Sequence, residues 1–153
     1  MTRTQAARAW IDAHHEVGWD VLRVYAGLAL FVKGLGFLRD LPHTQELLAA
    51  VEFPFPELAE PVAVVHLMGG LLLAFGLWTR LAAAMQVPIV AGAVLFVHRR
   101  EGLFSDGHAL PLAIFFLVLV TLFALGGAGE TSLDALFAST RARESRPPEP
   151  GPA

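Results

Sequence analysis

The run Ile114-Phe-Phe-Leu-Val-Leu-Val120 lies at the centre of the longest uncharged segment of the chain. That segment, residues 107–129, contains no Asp, Glu, Lys or Arg. A helix needs roughly 20 consecutive apolar residues to cross a hydrocarbon core about 30 Å thick. The segment is therefore predicted to be a membrane-spanning helix.

Three other segments meet the same criterion, so spans are predicted at residues 17–38, 61–79, 81–98 and 107–127. The second and third also lack Asp, Glu, Lys and Arg, whereas the first contains Arg23 and Lys33. A soluble four-helix bundle needs a polar stripe on every helix, and the last three segments are apolar all round. The prediction is an all-α, polytopic membrane four-helix bundle.

Composition supports a lipid environment and excludes several functions. Charged residues make up 16% of the chain, against about 25% in a typical soluble domain. The net charge is −3 without a continuous basic run, so nucleic-acid binding is not expected. The chain has no cysteine, which excludes disulfides, thiolate metal sites and CxxC relays. Any redox chemistry would come from a cofactor or a partner.

The distribution of arginines predicts the orientation in the membrane. Six arginines flank the spans on one side (Arg3, Arg8, Arg80, Arg141, Arg143 and Arg146) and three on the other (Arg39, Arg99 and Arg100). The positive-inside rule then places both termini in the cytoplasm. Residues 1–16 are predicted to form an interfacial segment, 17–137 the membrane domain, and 138–153 a disordered cytoplasmic tail. A short helix is expected to begin at Thr131-Ser-Leu-Asp134.

Three motifs occur in order along the membrane domain. They are Arg23-x3-Gly27-x3-Phe31-x-Lys33-Gly34, Gly69-Gly70-x5-Gly76-x2-Thr79-Arg80, and Gly126-Gly-Ala-Gly129-Glu-Thr-Ser132-Leu133-Asp134. In this order, over residues 17–137, they resemble the DoxX family of small four-helix bacterial membrane proteins. Relatives often carry Glu near the position of His66 and an acidic residue near His108, so this chain has imidazole where they have carboxylate.

The resemblance implies a location in the bacterial cytoplasmic (inner) membrane and a redox-associated role. The family takes its name from a membrane subunit of a thiosulfate:quinone oxidoreductase, and other members are associated with redox-stress complexes. The implied function is a quinone-linked membrane subunit beside another membrane or redox subunit. The alternative is a non-catalytic scaffold whose acidic outer loop docks a partner complex. A small-solute carrier is a third hypothesis, but no broken, symmetric repeat supports it.

The depth of four polar side chains in the predicted spans, counted in residues from the span ends, indicates one candidate ligand-binding site. Lys33 lies about five residues, roughly 8 Å, from the outer end of the first span, and His66 lies at a similar depth in the second. His98 ends the third span and His108 begins the fourth at the same face. Ionisable groups at such depths usually face the bundle interior, so these four side chains are the candidate ligand-binding residues. Glu101 and Asp106, in the adjoining loop, are candidate second-shell acceptors for the imidazole protons.

Imidazoles at this level can hydrogen-bond a quinone carbonyl or ligate haem iron or a metal, and Lys33 can supply positive charge to an anion. No HxxH or other tight ligand spacing occurs, so quinone is favoured as the cofactor over haem or metal, and no metal site is predicted. The structural alternative is that Lys33 extends to the interface and that the histidines are ordinary polar residues at span ends.

The remaining polar residues of the spans have structural interpretations. Arg23 is expected to form an ion pair with Asp20 or Glu16, or to extend toward lipid phosphate, and Arg80 to fix topology. Pro88 is expected to kink the third span. No nucleophile triad, phosphate loop or paired-carboxylate site is present, so the chain is not expected to be catalytic on its own.

Overall fold

The computed structural model describes the backbone of residues 3–98, 109–129 and 132–144, and the side chains of residues 17–98, 109–129 and 132–140. The described residues contain helices and no strand. The helices are α1 (Arg3–Arg39), α2 (Leu41–Ala50), α3 (Ala59–Phe75), α4 (Thr79–Gly92), α5 (Ala109–Gly126) and α6 (Leu133–Glu144). A 3₁₀ turn (Pro56–Leu58) precedes α3, and a π-helical segment (Ala93–Val97) extends α4.

Four of these segments are long and apolar enough to cross a membrane: Val17–Arg39, Pro56–Phe75, Thr79–Val97 and Ala109–Gly126. Their outward faces carry large apolar side chains, with Leu125 74% exposed and Val32 64% exposed. In water such a surface would drive aggregation, whereas in lipid it is the expected exterior. The prediction of an all-α, multi-pass membrane bundle is confirmed.

The helices pack in chain order, with α1 against α3, α3 against α4, and α4 against α5. α1 meets α5 over a short stretch only. The buried core runs along the middle of the bundle, through Ala26 and Leu30 of α1, Leu73 of α3, Ala83 and Val90 of α4, and Leu119, Val120 and Phe123 of α5.

Glycines allow the closest contact, between α1 and α3. A methyl group built on Gly27 would lie 2.6 Å from the carbonyl oxygen of Gly70, and one built on Gly34 would lie 2.8 Å from that of Ala63. No side chain fits at such distances, so the two backbones touch directly. Lipid supplies no hydrophobic force between spans, and this close contact maximises van der Waals attraction.

The α3–α4 hairpin turns earlier than predicted. The predicted spans 61–79 and 81–98 place the turn at Arg80, but it comprises residues 76–78, and Thr79 already begins α4. Gly76 ends α3 in the left-handed region at φ 69°, the conformation in which glycine commonly terminates helices. The predicted second span was therefore too long at its C-terminus. We call this end of the bundle the hairpin end and the opposite end, where α2 lies, the loop end.

The helices at the two chain ends extend beyond the predicted bounds of the membrane domain. Residues 1–16 were predicted to form an interfacial segment, and α1 runs without interruption from Arg3 through this segment into the first span. The tail was predicted to be disordered from residue 138, but α6 continues to Glu144. Ser132 caps this helix, and the first proline after it is Pro147, so no helix breaker lies in residues 138–144. Residues 145–153 lie outside the described residues.

The connection between the first two spans is largely ordered. Its first part is α2, which Asp40 caps through the amide of His43, 3.2 Å away. Residues 51–55, which include Phe53, Pro54 and Phe55, separate α2 from the 3₁₀ turn. Residues 99–108, between α4 and α5, lie outside the described residues.

Candidate functional site

A cavity of about 290 Å³ lies between the spans at the loop end of the bundle. All four spanning segments contribute to its wall. The described residues place Lys33 of α1, His66 of α3 and His98, which follows the π-helical segment, in its wall. The other described wall residues are Tyr25, Ala29 and Leu30 of α1, Val90 of α4, Ala93 of the π-helical segment, and Ala109, Leu112, Ala113 and Phe116 of α5.

His66 is the most deeply placed polar group of the cavity. Its residue is 6% exposed, and its ring packs against that of Phe37, with ring centroids 5.9 Å apart. The carbonyl of Val62, one turn earlier, interacts with the ring. Even so, Nδ1 makes no hydrogen bond of good geometry with any described residue. Since a buried polar atom without a partner costs about 1–3 kcal/mol, this nitrogen is a candidate contact for a ligand.

Lys33 lies on the exposed side of the same cavity. Its Nζ is 5.7 Å from the centroid of the Phe37 ring, within the range of a cation–π contact. Phe37 therefore contacts both Lys33 and His66 and holds the two side chains at one level of the bundle. Among the described side chains, no carboxylate pairs with Lys33.

The end of the third span brings His98 to the cavity. Pro88 lies inside α4, and the last turn of the span, Ala93–Val97, is π-helical. A π-turn inserts an extra residue per turn and rotates all the following side chains about the helix axis. The amide of His98 closes this turn on the carbonyl of Ala93, at 2.9 Å. Both Ala93 and His98 line the cavity.

Three of the four candidate ligand-binding residues, Lys33, His66 and His98, thus line a single cavity. The fourth, His108, and the predicted second-shell residues Glu101 and Asp106 lie outside the described residues. In the part of the chain that the structure describes, no three His, Cys, Asp or Glu side chains lie close enough together to hold a metal ion.

The hairpin end of the bundle is held by a buried arginine. Arg23 is 2% exposed, and its Nη1 donates to the carbonyls of Leu73 and Ala74, both at 2.9 Å. Its Nη2 pairs with Asp20, at 3.1 Å. Arg23 therefore caps the C-terminus of α3, where a cation is favoured by the helix dipole. The side chain of Glu16, the other predicted partner, lies outside the described side chains.

Residues of the third sequence motif, 126–134, stabilise the hairpin end as well. Asp134 accepts hydrogen bonds from the amides of Trp78, at 2.8 Å, and Thr79, at 3.0 Å, and so caps the N-terminus of α4. Its own amide donates to the carbonyl of Gly76, at 3.0 Å. Ser132 caps α6 through the amide of Ala135. The motifs of the second span and of the chain's end are therefore structural partners of each other.

A wider, shallower depression of about 560 Å³ also lies at the hairpin end. Trp78, Arg80, Gly127 and Asp134 are among the residues that line it. The Asp134 carboxylate is already bonded to the start of α4, so this depression is part of the helix-capping structure. The cavity at the loop end remains the better candidate for a ligand.

One buried polar residue was missed in the sequence. Gln86 is fully buried on α4, and its Nε2 donates to the carbonyl of Val65 on α3, at 2.9 Å. Its Oε1 has no hydrogen-bond partner among the described residues. The available signal was that Gln86 is the only strongly polar residue between Arg80 and His98.

Four apolar spans and an interior cavity define the chain as a small multi-pass membrane protein. The profile of the DoxX family matches residues 18–99, and the chain belongs to this family. It is similar to the Bacillus subtilis (strain 168) protein named "Putative oxidoreductase CatD", with 32% identity over 118 residues, or 77% of this chain and 84% of that protein. No solved structure matches the chain.

Proposed function

We propose that this protein is a redox-associated membrane subunit that binds a quinone-class molecule in the cavity at the loop end. The observation that carries the proposal is the buried Nδ1 of His66, which makes no hydrogen bond of good geometry with any described residue and belongs to a residue in the cavity wall. Lys33 and His98 on the same wall add further hydrogen-bonding groups. The name of the B. subtilis relative is consistent with a redox role.

The polar groups of the wall suit a quinone head. A neutral imidazole donates from one nitrogen and accepts at the other, so His66 can bond a quinone carbonyl in one tautomer and a hydroquinone hydroxyl in the other. Lys33 can donate only, and its charge favours the more electron-rich, reduced form. A bound quinone would supply the electron-transfer chemistry that a chain without cysteine lacks.

The size and polarity of the cavity also fit. At about 290 Å³ it lies at the lower end of the ~300–1,000 Å³ typical of small-molecule sites. Such a volume suits one substituted ring, with any long tail outside. An apolar wall with a few polar groups is the usual composition of a small-molecule site. Electrons would reach the ring from a partner subunit, because the chain has no cysteine pair that could relay them.

The test is to purify the protein in mild detergent, extract it with organic solvent and quantify quinone per polypeptide. The proposal predicts bound quinone in the wild type and in the control His43→Ala, whose histidine is exposed on α2. His66→Ala is expected to lose most of it. Equal quinone content in all three proteins, at the level of an unrelated membrane protein, would refute the proposal.

The scaffold function is supported by a different surface. The connection between the first two spans and the first residues of the second span carry five exposed carboxylates, Asp40, Glu46, Glu52, Glu57 and Glu60. Exposed apolar side chains lie among them, with Leu47 55% exposed and Phe55 53% exposed. This combination suits a docking surface for a basic, partly apolar partner. Co-purification of a partner that depends on these carboxylates, from a protein without quinone, would favour the scaffold.

We also infer that both termini are cytoplasmic in the bacterial inner membrane, which puts the cavity in the outer leaflet. The arginine distribution supports this orientation. Because the chain has no cysteine, single cysteines at Leu47 and Ser139 can be labelled in whole cells without background. An impermeant reagent should label Leu47→Cys only. Labelling of Ser139→Cys only would reverse the orientation.

A further inference from the structure

The contact between α1 and α5 changes along the helices. Near the hairpin end they touch firmly, because the Trp19 ring packs against Phe123, with centroids 4.7 Å apart, and its Nε1 donates to the carbonyl of Gly127, at 3.2 Å. Toward the loop end, the Tyr25 and Phe116 rings still meet, with centroids 6.2 Å apart. Beyond that ring pair, the space between the two helices belongs to the cavity.

Small side chains line this space on both helices. Ala29 lies on α1, and Ala109 and Ala113 lie on α5. Small residues normally let two spans approach closely, as Gly27 does between α1 and α3. Here they border a cavity instead. We call this part of the α1–α5 boundary, from the Tyr25–Phe116 pair to Lys33, the seam.

The rim of the cavity reaches the lipid-facing surface along the seam. Tyr25 and Leu112 both line the cavity, yet they are 53% and 54% exposed. Their exposed parts lie on spanning segments, where the surroundings are hydrocarbon rather than water. The polar groups of His66 and Lys33 and the apolar rim are thus two ends of one continuous space.

We propose that the seam is a lateral portal through which a ligand with a polar ring and a long hydrocarbon tail enters from the membrane. This inference rests on the proposed function and adds the path and the chemical class of the ligand. The ring lies at His66 and Lys33, and the tail leaves between α1 and α5 into the lipid. A tail extending through an apolar opening stays in hydrocarbon, so binding the ring does not require the tail to enter water.

The test compares a long-tailed quinone with a tail-free quinone of the same ring, using protein reconstituted in lipid. Leu112→Trp enlarges a rim residue of the seam. Leu122→Trp is the matched control, because Leu122 is also exposed on α5, at 45%, but lies outside the cavity. We expect Leu112→Trp to weaken binding of the long-tailed quinone at least about tenfold and that of the tail-free quinone less than about twofold. The control should change neither.

A reversible modification at the seam distinguishes an obstructed portal from a folding defect. The chain has no native cysteine, so Leu112→Cys can be modified with a bulky disulfide-forming reagent and restored with reductant. The expected result is loss of long-tailed binding on modification and its recovery on reduction. Equal losses for both quinones, or no loss for either, would overturn the portal while leaving the site intact. Absence of binding in the unmodified wild type would instead refute the proposed function.

Discussion

Arg23 offers the sharpest test of how the hairpin end is built. Arg23→Met keeps a side chain of similar length but removes the hydrogen bonds to two α3 carbonyls and the ion pair between Arg23 and Asp20. Removing one partner of a buried ion pair typically costs about 3–5 kcal/mol. For a chain of this size, that corresponds to a fall in Tm of roughly 6–20 °C.

The double variant Arg23→Met/Asp20→Asn distinguishes charge from packing. It removes the charge of Asp20 together with that of Arg23, so the main remaining cost is that of the α3 carbonyls that lose a donor, about 1–3 kcal/mol. The double variant should therefore be more stable than Arg23→Met alone, although it carries one more substitution. Arg39→Met is the matched control, because Arg39 is an exposed arginine on the same helix, and its replacement should cost less than about 0.5 kcal/mol.

Tryptophan fluorescence during thermal unfolding in detergent is a suitable assay. Trp19 packs on Phe123 and bonds Gly127 at the same end of the bundle, so its emission should change when this end opens. The reasoning fails if Arg23→Met unfolds at the same temperature as Arg39→Met, or if the double variant is no more stable than Arg23→Met.

Three further substitutions should change stability as measured in the same assay. Asp134→Ala removes two hydrogen bonds that cap α4 and should cost about 1–2 kcal/mol, more than Asp40→Ala, which removes one exposed cap; equal effects would contradict the assigned cap. Gly27→Ala should be strongly destabilising, because the added methyl group would meet the backbone of α3. The methyl group of Gly36→Ala would meet no atom, so this variant should be more stable than the wild type by about 0.5–1 kcal/mol. The opposite order of stabilities would be inconsistent with the close α1–α3 contact. Gln86→Met removes a hydrogen bond together with a buried oxygen that has no partner among the described residues, so it should change stability by less than about 1 kcal/mol; a larger loss would mean that this oxygen has a partner.

Hydropathy alone was sufficient to predict the number of membrane-spanning segments and their approximate positions, because each span must be long and apolar to cross lipid. It could not fix the α3–α4 turn, since Leu77 and Trp78 are as apolar as the spans they join. The better signal was Gly76, a glycine positioned to end a helix in the left-handed conformation. Helix C-termini are thus better predicted from such stop residues than from hydropathy.

The candidate site was partly predictable for a geometric reason. Counting residues from the span ends gives depth, and depth alone placed Lys33, His66 and His98 at one level. Counting residues does not give the rotation of each helix about its own axis, because a helix that is apolar all round has no polar stripe to distinguish its outer face from its inner face. For that reason the contact of Tyr25 with Phe116 could not be foreseen.

Photoaffinity labelling tests the central claim most directly. Membranes containing the protein would be irradiated with a photoreactive quinone, and the labelled residues identified by mass spectrometry. The account predicts labelling concentrated on cavity residues of α1, α3 and α5, around Lys33, His66 and Ala113, and suppressed by excess unmodified quinone. Labelling spread over the lipid-facing surface, for example at Phe75 and Leu125, and unaffected by the competitor would contradict it.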